Sequence, residues 1–326
     1  MPVYSIPGVY KVLGASPDGD SVRFYADDPT VFERAGLRVR LNAHGGAQLR
    51  LDAVDALETH YTPPRGRRRW HQPAALARAA SDALLTSLGF SGVERTEDGT
   101  VTASTPETTR GYILTRFADV YGRPVAFAFP GDRDDDTDDG AEDGDGADGD
   151  GADGDGADGD DDVSVGGGQR VAVGGLPTVH LGVRELARSV NHRLVSAGLV
   201  YPTFYSKLYV DLRRALAREA DVARREGRGV WEKDVTLTGF ELVSREQLED
   251  EFVVLPKLFR RLAEFLSLDE SGSASLRGFR AFLAQHDDGL FTVPAGQATG
   301  LDTLVRVRGR RVRLTVPPQR IVFTEK

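Results

Sequence analysis

Apolar and polar residues alternate with a period of two in several short runs of the first fifty-four positions. Residues 9–24 hold two such runs around Gly14-Ala15-Ser16-Pro17-Asp18-Gly19. There Pro fixes φ and Gly accepts positive φ, so the pattern predicts a hairpin. Residues 37–41 and 48–54 alternate in the same way on either side of His44-Gly45-Gly46. The period then lengthens. Residues 72–88 put Leu76, Ala80, Leu84 and Leu88 on one face and end at Gly89, the pattern of a helix and its stop. Residues 110–116 and 125–129 look like strands bracketing Asp119-Val120-Tyr121-Gly122-Arg123, and residues 183–198 and 204–226 read as two amphipathic helices.

A separate pattern begins near residue 236. Ser244 with Gln247 forms a capping box, and the helix it opens is interrupted at Pro256. Leu258, Leu262, Phe265 and Leu266 make an apolar stripe, and residues 305–314 read as a hairpin with one valine face and one arginine face. The fold class is therefore α+β, with a main domain over residues 1–235 and a smaller α+β unit over 236–326. Between them in character is the stretch 131–168, in which residues 144–159 repeat Gly-Asp-Gly-Ala-Asp with a period of five. A calcium-binding β-roll needs an apolar position in each turn, which this repeat lacks. Like-charged and without apolar surface to bury, the stretch is expected to be disordered.

That stretch changes the meaning of the charge. The formal net charge is −9, but 17 of the 50 acidic residues lie between Asp132 and Asp162, where Arg133 is the only base. The remainder holds 33 acids against 40 bases, a net of +7 that suits a polyanionic partner. The absence of cysteine excludes disulfides, thiolate metal sites and cysteine nucleophiles. No run of eighteen apolar residues predicts a membrane span, and the first residues lack the features of a signal peptide, which points to a cytoplasmic location. His60 and His71 have no third ligand at zinc-like spacing and are not read as a metal pair.

The densest candidate chemistry lies in residues 48–60, where Arg50, Asp55 and Glu58 fall within nine positions at the end of a strand. Asp20 and Asp55 read as a carboxylate pair for calcium, a hard cation that prefers oxygen ligands, with the Ala56 carbonyl as a further ligand. Arg50 and Arg123 suit phosphoryl oxygens, and Glu58 can orient or deprotonate a water. Together these describe calcium-dependent cleavage of a phosphodiester. Arg50 and Asp55 are five apart, on opposite faces of a regular strand, so their convergence requires a bend near Val54.

In order along the chain, Asp18-Gly19-Asp20-Ser21-Val22, residues 50–58, Tyr121-Gly122-Arg123, the 190–198 helix and Val230-Trp231-Glu232 resemble the staphylococcal-nuclease-like (thermonuclease) family. The resemblance implies a five-stranded OB-type β-barrel with three helices, a Ca2+ cofactor and DNA or RNA as substrate. By position, Arg50, Glu58 and Arg123 resemble the catalytic trio, while Asp20 and Asp55 resemble the metal carboxylates. Tyr121 matches a tyrosine of the nucleotide pocket, and Tyr201 or Tyr205 a second. Arg67 and Arg68, in the basic loop after Glu58, are candidates for phosphate contact. The expectation is an active calcium-dependent nuclease; the alternative is a non-catalytic nucleic-acid-binding OB module. The intact set of Asp20, Arg50, Asp55, Glu58 and Arg123 favours the first.

Overall fold

The structure, a computed structural model, describes residues 2–131, 171–173, 176–269, 272–286 and 288–324. The acidic run from Asp132 to Asp162, with its expected disorder, lies outside them. The chain opens with β1 (Pro2–Lys11) and β2 (Ser21–Ala26). A short helix α1 (Val31–Arg34) leads to β3 (Ala47–Leu51) and the two-residue β4 (Val54–Asp55). Helix α2 (Ala74–Ser87) follows, then the hairpin β5 (Ser91–Arg95) and β6 (Val101–Thr105). The long β7 (Thr108–Ala118) and β8 (Pro124–Pro130) come next.

Five of these strands close a barrel in the order β2-β3-β8-β7-β1, with β1 pairing back onto β2. All the pairings are antiparallel except β3 with β8. This is the Greek-key arrangement of an OB-fold. Ile6 and Tyr10 on β1, Val22 and Phe24 on β2, and Leu49 and Leu51 on β3 fill its interior. Residues 125–129 are buried on both faces because a helix covers the outside of β8, so their sequence reads as a continuous apolar run. The barrel closes tightly where Gly8 faces Gly111. A Cβ on Gly8 would stand 2.2 Å from the Tyr25 carbonyl oxygen, and one on Gly111 2.3 Å from the Tyr10 ring, so only glycine fits at either position.

After β8 the described chain continues with β9 (Val171–Val173) and β10 (Leu176–His180), which extends the sheet from β1. Helices α3 (Val183–Arg188) and α4 (Val190–Ser196) follow. The single helix expected over 183–198 is broken at Ser189, whose backbone is extended and whose hydroxyl caps α4 through the His192 amide. Next are β11 (Tyr201–Pro202), β12 (Phe204–Tyr205) and α5 (Val210–Arg225). The helix expected from residue 204 begins at 210, because Phe204 and Tyr205 pair with a strand from the far end of the chain.

The C-terminal segment contributes β13 (Phe240–Glu241), α6 (Arg245–Asp250), α7 (Pro256–Leu266) and α8 (Phe279–Gln285). Beyond them are β14 (Gly289–Thr292), β15 (Ala298–Gly300), α9 (Leu301–Leu304), β16 (Val305–Arg308), β17 (Arg311–Leu314) and β18 (Ile321–Phe323). Ser244 and Gln247 form the expected capping box, and Pro256 starts α7 rather than kinking a longer helix. Proline is preorganised for the first helical position and has no N–H to leave unpaired there. Residues 37–41 make no strand beyond one bridge from Leu41 to Ala47. The segment packs on the barrel side through a common apolar core. Leu258, Phe259, Leu262 and Phe279 cluster there with Leu57, Trp70, Tyr201 and Trp231.

A candidate ligand cleft beside an internally neutralised carboxylate pair

The bend that brings Arg50 and Asp55 together lies at Asp52–Ala53, earlier than the sequence suggests. Ala53 has φ +67° and is the only non-glycine residue with positive φ among the described residues. A buried amide holds the bend in place. Asn191 of α4 donates from Nδ2 to the Asp52 carbonyl (2.9 Å) and the Ala126 carbonyl (3.1 Å), and its Oδ1 accepts from the Ala128 amide (3.0 Å). Beyond the turn, β4 pairs with β11, which sets Asp55 opposite Tyr201. The following Ala56 is buried, and a Cβ on Gly19 would stand 2.7 Å from its methyl group. The 12–20 loop is thus pressed against this segment, which leaves Asp20 within electrostatic reach of Asp55 and Arg50.

Glu58 is positioned by Gln72. Its amide donates to Gln72 Oε1 (3.2 Å) and its carbonyl accepts from the Gln72 amide (2.8 Å). The Gln72 side chain in turn donates to the Val254 carbonyl (2.8 Å), tying the segment to the C-terminal unit.

From that unit α7 sends Arg260 into the carboxylates. Its Nη1 donates to Asp55 Oδ1 (3.0 Å) and its Nη2 to Asp55 Oδ2 (2.7 Å), a bidentate fork. Nη1 also bonds Glu58 Oε1. Asp55 is 1 % exposed and Glu58 14 %, so both charges are largely removed from water and one guanidinium answers them. Burial pushes Glu58 up to about 7; Arg260 opposes the shift and Asp55 adds to it. Burial, with Asp18 and Asp55 close by, also raises Asp20 well above the usual carboxylate range, against the pull of Arg50.

This geometry overturns the calcium reading. Ca2+ takes six to eight oxygen ligands. Among the described residues no group of three or more His, Cys, Asp or Glu side chains is disposed to hold a metal ion. Both oxygens of Asp55 are committed to Arg260, so Asp20, Asp55 and the Ala56 carbonyl do not make a cation site, and the residues do not fit the ion. Glu58 is bonded through Oε1 to the same guanidinium. Arg123 turns back onto its own loop, with Nε on Asp119 Oδ2 (2.8 Å). The expected hydrolase, with Arg50, Glu58 and Arg123 as its catalytic groups and Ca2+ as cofactor, is therefore withdrawn. The carboxylates have another physical use, which is to receive Arg260. Nothing in residues 48–60 signals it, because the partner lies 205 residues away.

Beside this pair a cleft of about 370 Å³ opens between the C-terminal end of β3, the β7–β8 loop and the C-terminal unit. Arg50 lies on one wall, its Nη2 donating to the Tyr205 hydroxyl (3.4 Å) and its guanidinium 5.3 Å from the Tyr205 ring. Tyr121, 73 % exposed, stands on the β7–β8 loop, and Lys207 and Phe323 complete the rim. Thr203 is buried in the lining, and its Oγ1 has no hydrogen-bond partner among the described residues. On the far wall Arg261 clasps Asp288 through Nε (2.6 Å) and Nη2 (2.8 Å), and Lys257 reaches the same carboxylate at 3.1 Å.

The other candidate residues lie apart from the cleft. Tyr201 is fully buried and its hydroxyl donates to Asp234 Oδ1 (2.7 Å), so it faces the core. Arg67 is exposed on its loop. Arg68 stacks over Trp70 at 5.0 Å and pairs with Glu249. His60 and His71 line a different hollow, next to Arg78 and Glu97. No helix among the described residues is long and apolar enough to cross a membrane. Comparison with protein-family models and with curated proteins returns no match for this chain.

Proposed function

We propose that the protein is a non-catalytic nucleic-acid-binding module built on its OB barrel. The observation that carries this reading is the company Arg50 keeps in the cleft: Lys207, Tyr205 and the exposed Tyr121 beside it, with the lining carboxylates Asp119 and Asp288 already paired, the first with Arg123 and the second with Arg261 and Lys257. OB-folds take single strands and other oligomers against strands 2–3 and the loop between strands 4 and 5. Here those are β2, β3 and the β7–β8 loop that carries Tyr121. Bases stack on aromatic faces whatever their sequence, and cations hold the backbone between them. Arg260 matters to this function because Asp55, within electrostatic reach of Arg50, would otherwise compete with a phosphate for that guanidinium.

Within the same reading, the barrel over residues 1–235 is a staphylococcal-nuclease-like domain, and the 236–326 unit supplies Arg260 to its carboxylates. Arg67 remains a candidate for an outlying phosphate contact, and DNA and RNA are both admitted as ligands.

Fluorescence anisotropy with labelled single-stranded DNA and RNA, titrated at several salt concentrations, tests the proposal. Binding is expected to weaken as salt rises, since counterions are released with each neutralised phosphate. Tyr121→Ala should lose about tenfold in affinity, the scale of one stacked base. Lys207→Ala should lower the log–log salt slope by about 0.7. No binding at low salt, or wild-type binding by both variants, would sink the reading.

A further inference from the structure

The β16–β17 hairpin carries its charge in an arrangement that solubility does not require. The register sets Arg306 opposite Arg313 and Arg308 opposite Arg311, while Val305 faces Leu314 and Val307 faces Val312 on the other side. The apolar face enters the C-terminal core, with Val312 at 0 % and Leu314 at 1 % exposure, and all four arginines are exposed. Arg310 in the connecting turn is exposed as well.

Like charges set directly opposite in a sheet destabilise it. Among the described residues Arg306, Arg308, Arg310 and Arg313 form no ion pair that would relieve this, and Arg311 donates only to the Thr238 carbonyl (2.9 Å). Glu241, which the register places opposite Arg311 on β13, makes no ion pair either. Charged residues on an edge strand guard against sheet-to-sheet association, which accounts for Arg306 and Arg308 on the edge strand β16. It does not account for Arg311 and Arg313, because β17 is the central strand of the order β13-β17-β16. Beside the turn, an open groove of about 450 Å³ runs between Gly309, Arg310 and the segment bearing Ser275 and Arg277, adding one more cation.

We propose that the outward face of β16–β17 is a second docking surface, which takes the phosphate backbone of a nucleic acid. It lies on a different sheet from β18, which edges the cleft. Two residues along a strand advance about 6.7 Å, so the two arginine rungs offer a short ladder of forks, each able to hold phosphoryl oxygens bidentately. A backbone laid across it supplies the anions that the cross-strand pairs lack. The inference rests on the nucleic-acid reading and extends it from a single cleft to a longer path.

The test uses the full chain and a labelled 40-nucleotide single strand. The variants are Tyr121→Ala, the triple Arg306→Ala/Arg308→Ala/Arg313→Ala, and the matching triple lysine variant, with Arg311 left in place for its bond to Thr238. The alanine triple is expected to fold with an unchanged or higher melting temperature, since repulsion is removed. It should lose at least about tenfold in affinity at low salt, and its log–log salt slope should fall by about 2, for three lost phosphate contacts. The lysine triple should keep most of the slope. Loss in the alanine triple with wild-type binding by Tyr121→Ala upholds the ribbon and rejects the cleft. The reverse pattern rejects the ribbon and upholds the cleft. An unchanged affinity in the alanine triple overturns the proposal, and a higher one overturns it and points to the chain's own acidic run as the occupant. No binding by the wild type overturns both.

Discussion

Arg260 and Asp55 face one another as two parallel hydrogen bonds, 3.0 and 2.7 Å, between helix α7 and the short strand β4 that follows the barrel strand β3. Asp55 is 1 % exposed, so the carboxylate has no solvent to fall back on if the guanidinium is taken away. Breaking one side of a buried pair leaves an uncompensated charge and costs about 3–5 kcal/mol. Arg260→Ala is therefore expected to destabilise the whole chain by that amount in urea unfolding. In an Asp55→Asn background the same substitution should cost far less, because no charge is stranded. Equal costs in the two backgrounds would mean that the pair is not the source of the loss.

The same contact predicts indifference to calcium. A ligand stabilises a protein only as far as it binds the folded form, and here both Asp55 oxygens are already bonded to Arg260. Millimolar calcium and excess chelator are expected to leave the melting temperature of the wild type unchanged. A calcium-dependent rise of several degrees in the wild type would contradict the arrangement around Arg260.

Most strands of the barrel were legible because they alternate and their turns carry Gly and Pro at the required places, whereas their closure into an OB-type barrel was implied only by the family resemblance. Helix α2 followed from the spacing of Ala80, Leu84 and Leu88. What could not be read was pairing at long range. Phe204 and Tyr205 look like the start of a helix until β18 pairs with them. The candidate site failed in the same way. Asp20 and Asp55 read as a carboxylate pair for a metal ion, and local sequence cannot report that Arg260 supplies the cation that Asp55 and Glu58 receive. The bend at Ala53 was foreseen as a need, but its position depends on Asn191, 138 residues further along the chain.

Asp288 gives a pH dependence whose sign can be worked out. Burial alone would raise its pKa, but the bonds from Arg261 and the charge of Lys257 outweigh it and bring the carboxyl down to about 2 from an ordinary 3.8. A depressed folded-state value contributes stability above pH 3.8 that is lost as pH falls toward 2. The contribution is about 2 kcal/mol, at 1.36 kcal/mol per unit. Asp288→Asn should lower stability at neutral pH by leaving Arg261 and Lys257 without their carboxylate. The gap between wild type and variant should then narrow by about 2 kcal/mol from pH 4 to pH 2. A gap that stays constant over that window would show that Asp288 is not held down by those two cations.

Asn191 is expected to matter more than its place on a short helix suggests. It is fully buried and satisfies the Asp52 and Ala126 carbonyls and the Ala128 amide at once. Replacing it by leucine keeps the volume and removes every one of those bonds, and each buried group left without a partner costs about 1–3 kcal/mol. Asn191→Leu should therefore destabilise the chain by about 3 kcal/mol or more. The damage should appear first where the bend is made, as faster amide hydrogen exchange at Asp52 and Ala128, and Asn191→Asp should not repair it, because an ionised carboxylate cannot donate to the two carbonyls. A leucine variant as stable as the wild type, with unchanged exchange at those amides, would mean that the left-handed turn at Ala53 stands without the amide that spans it.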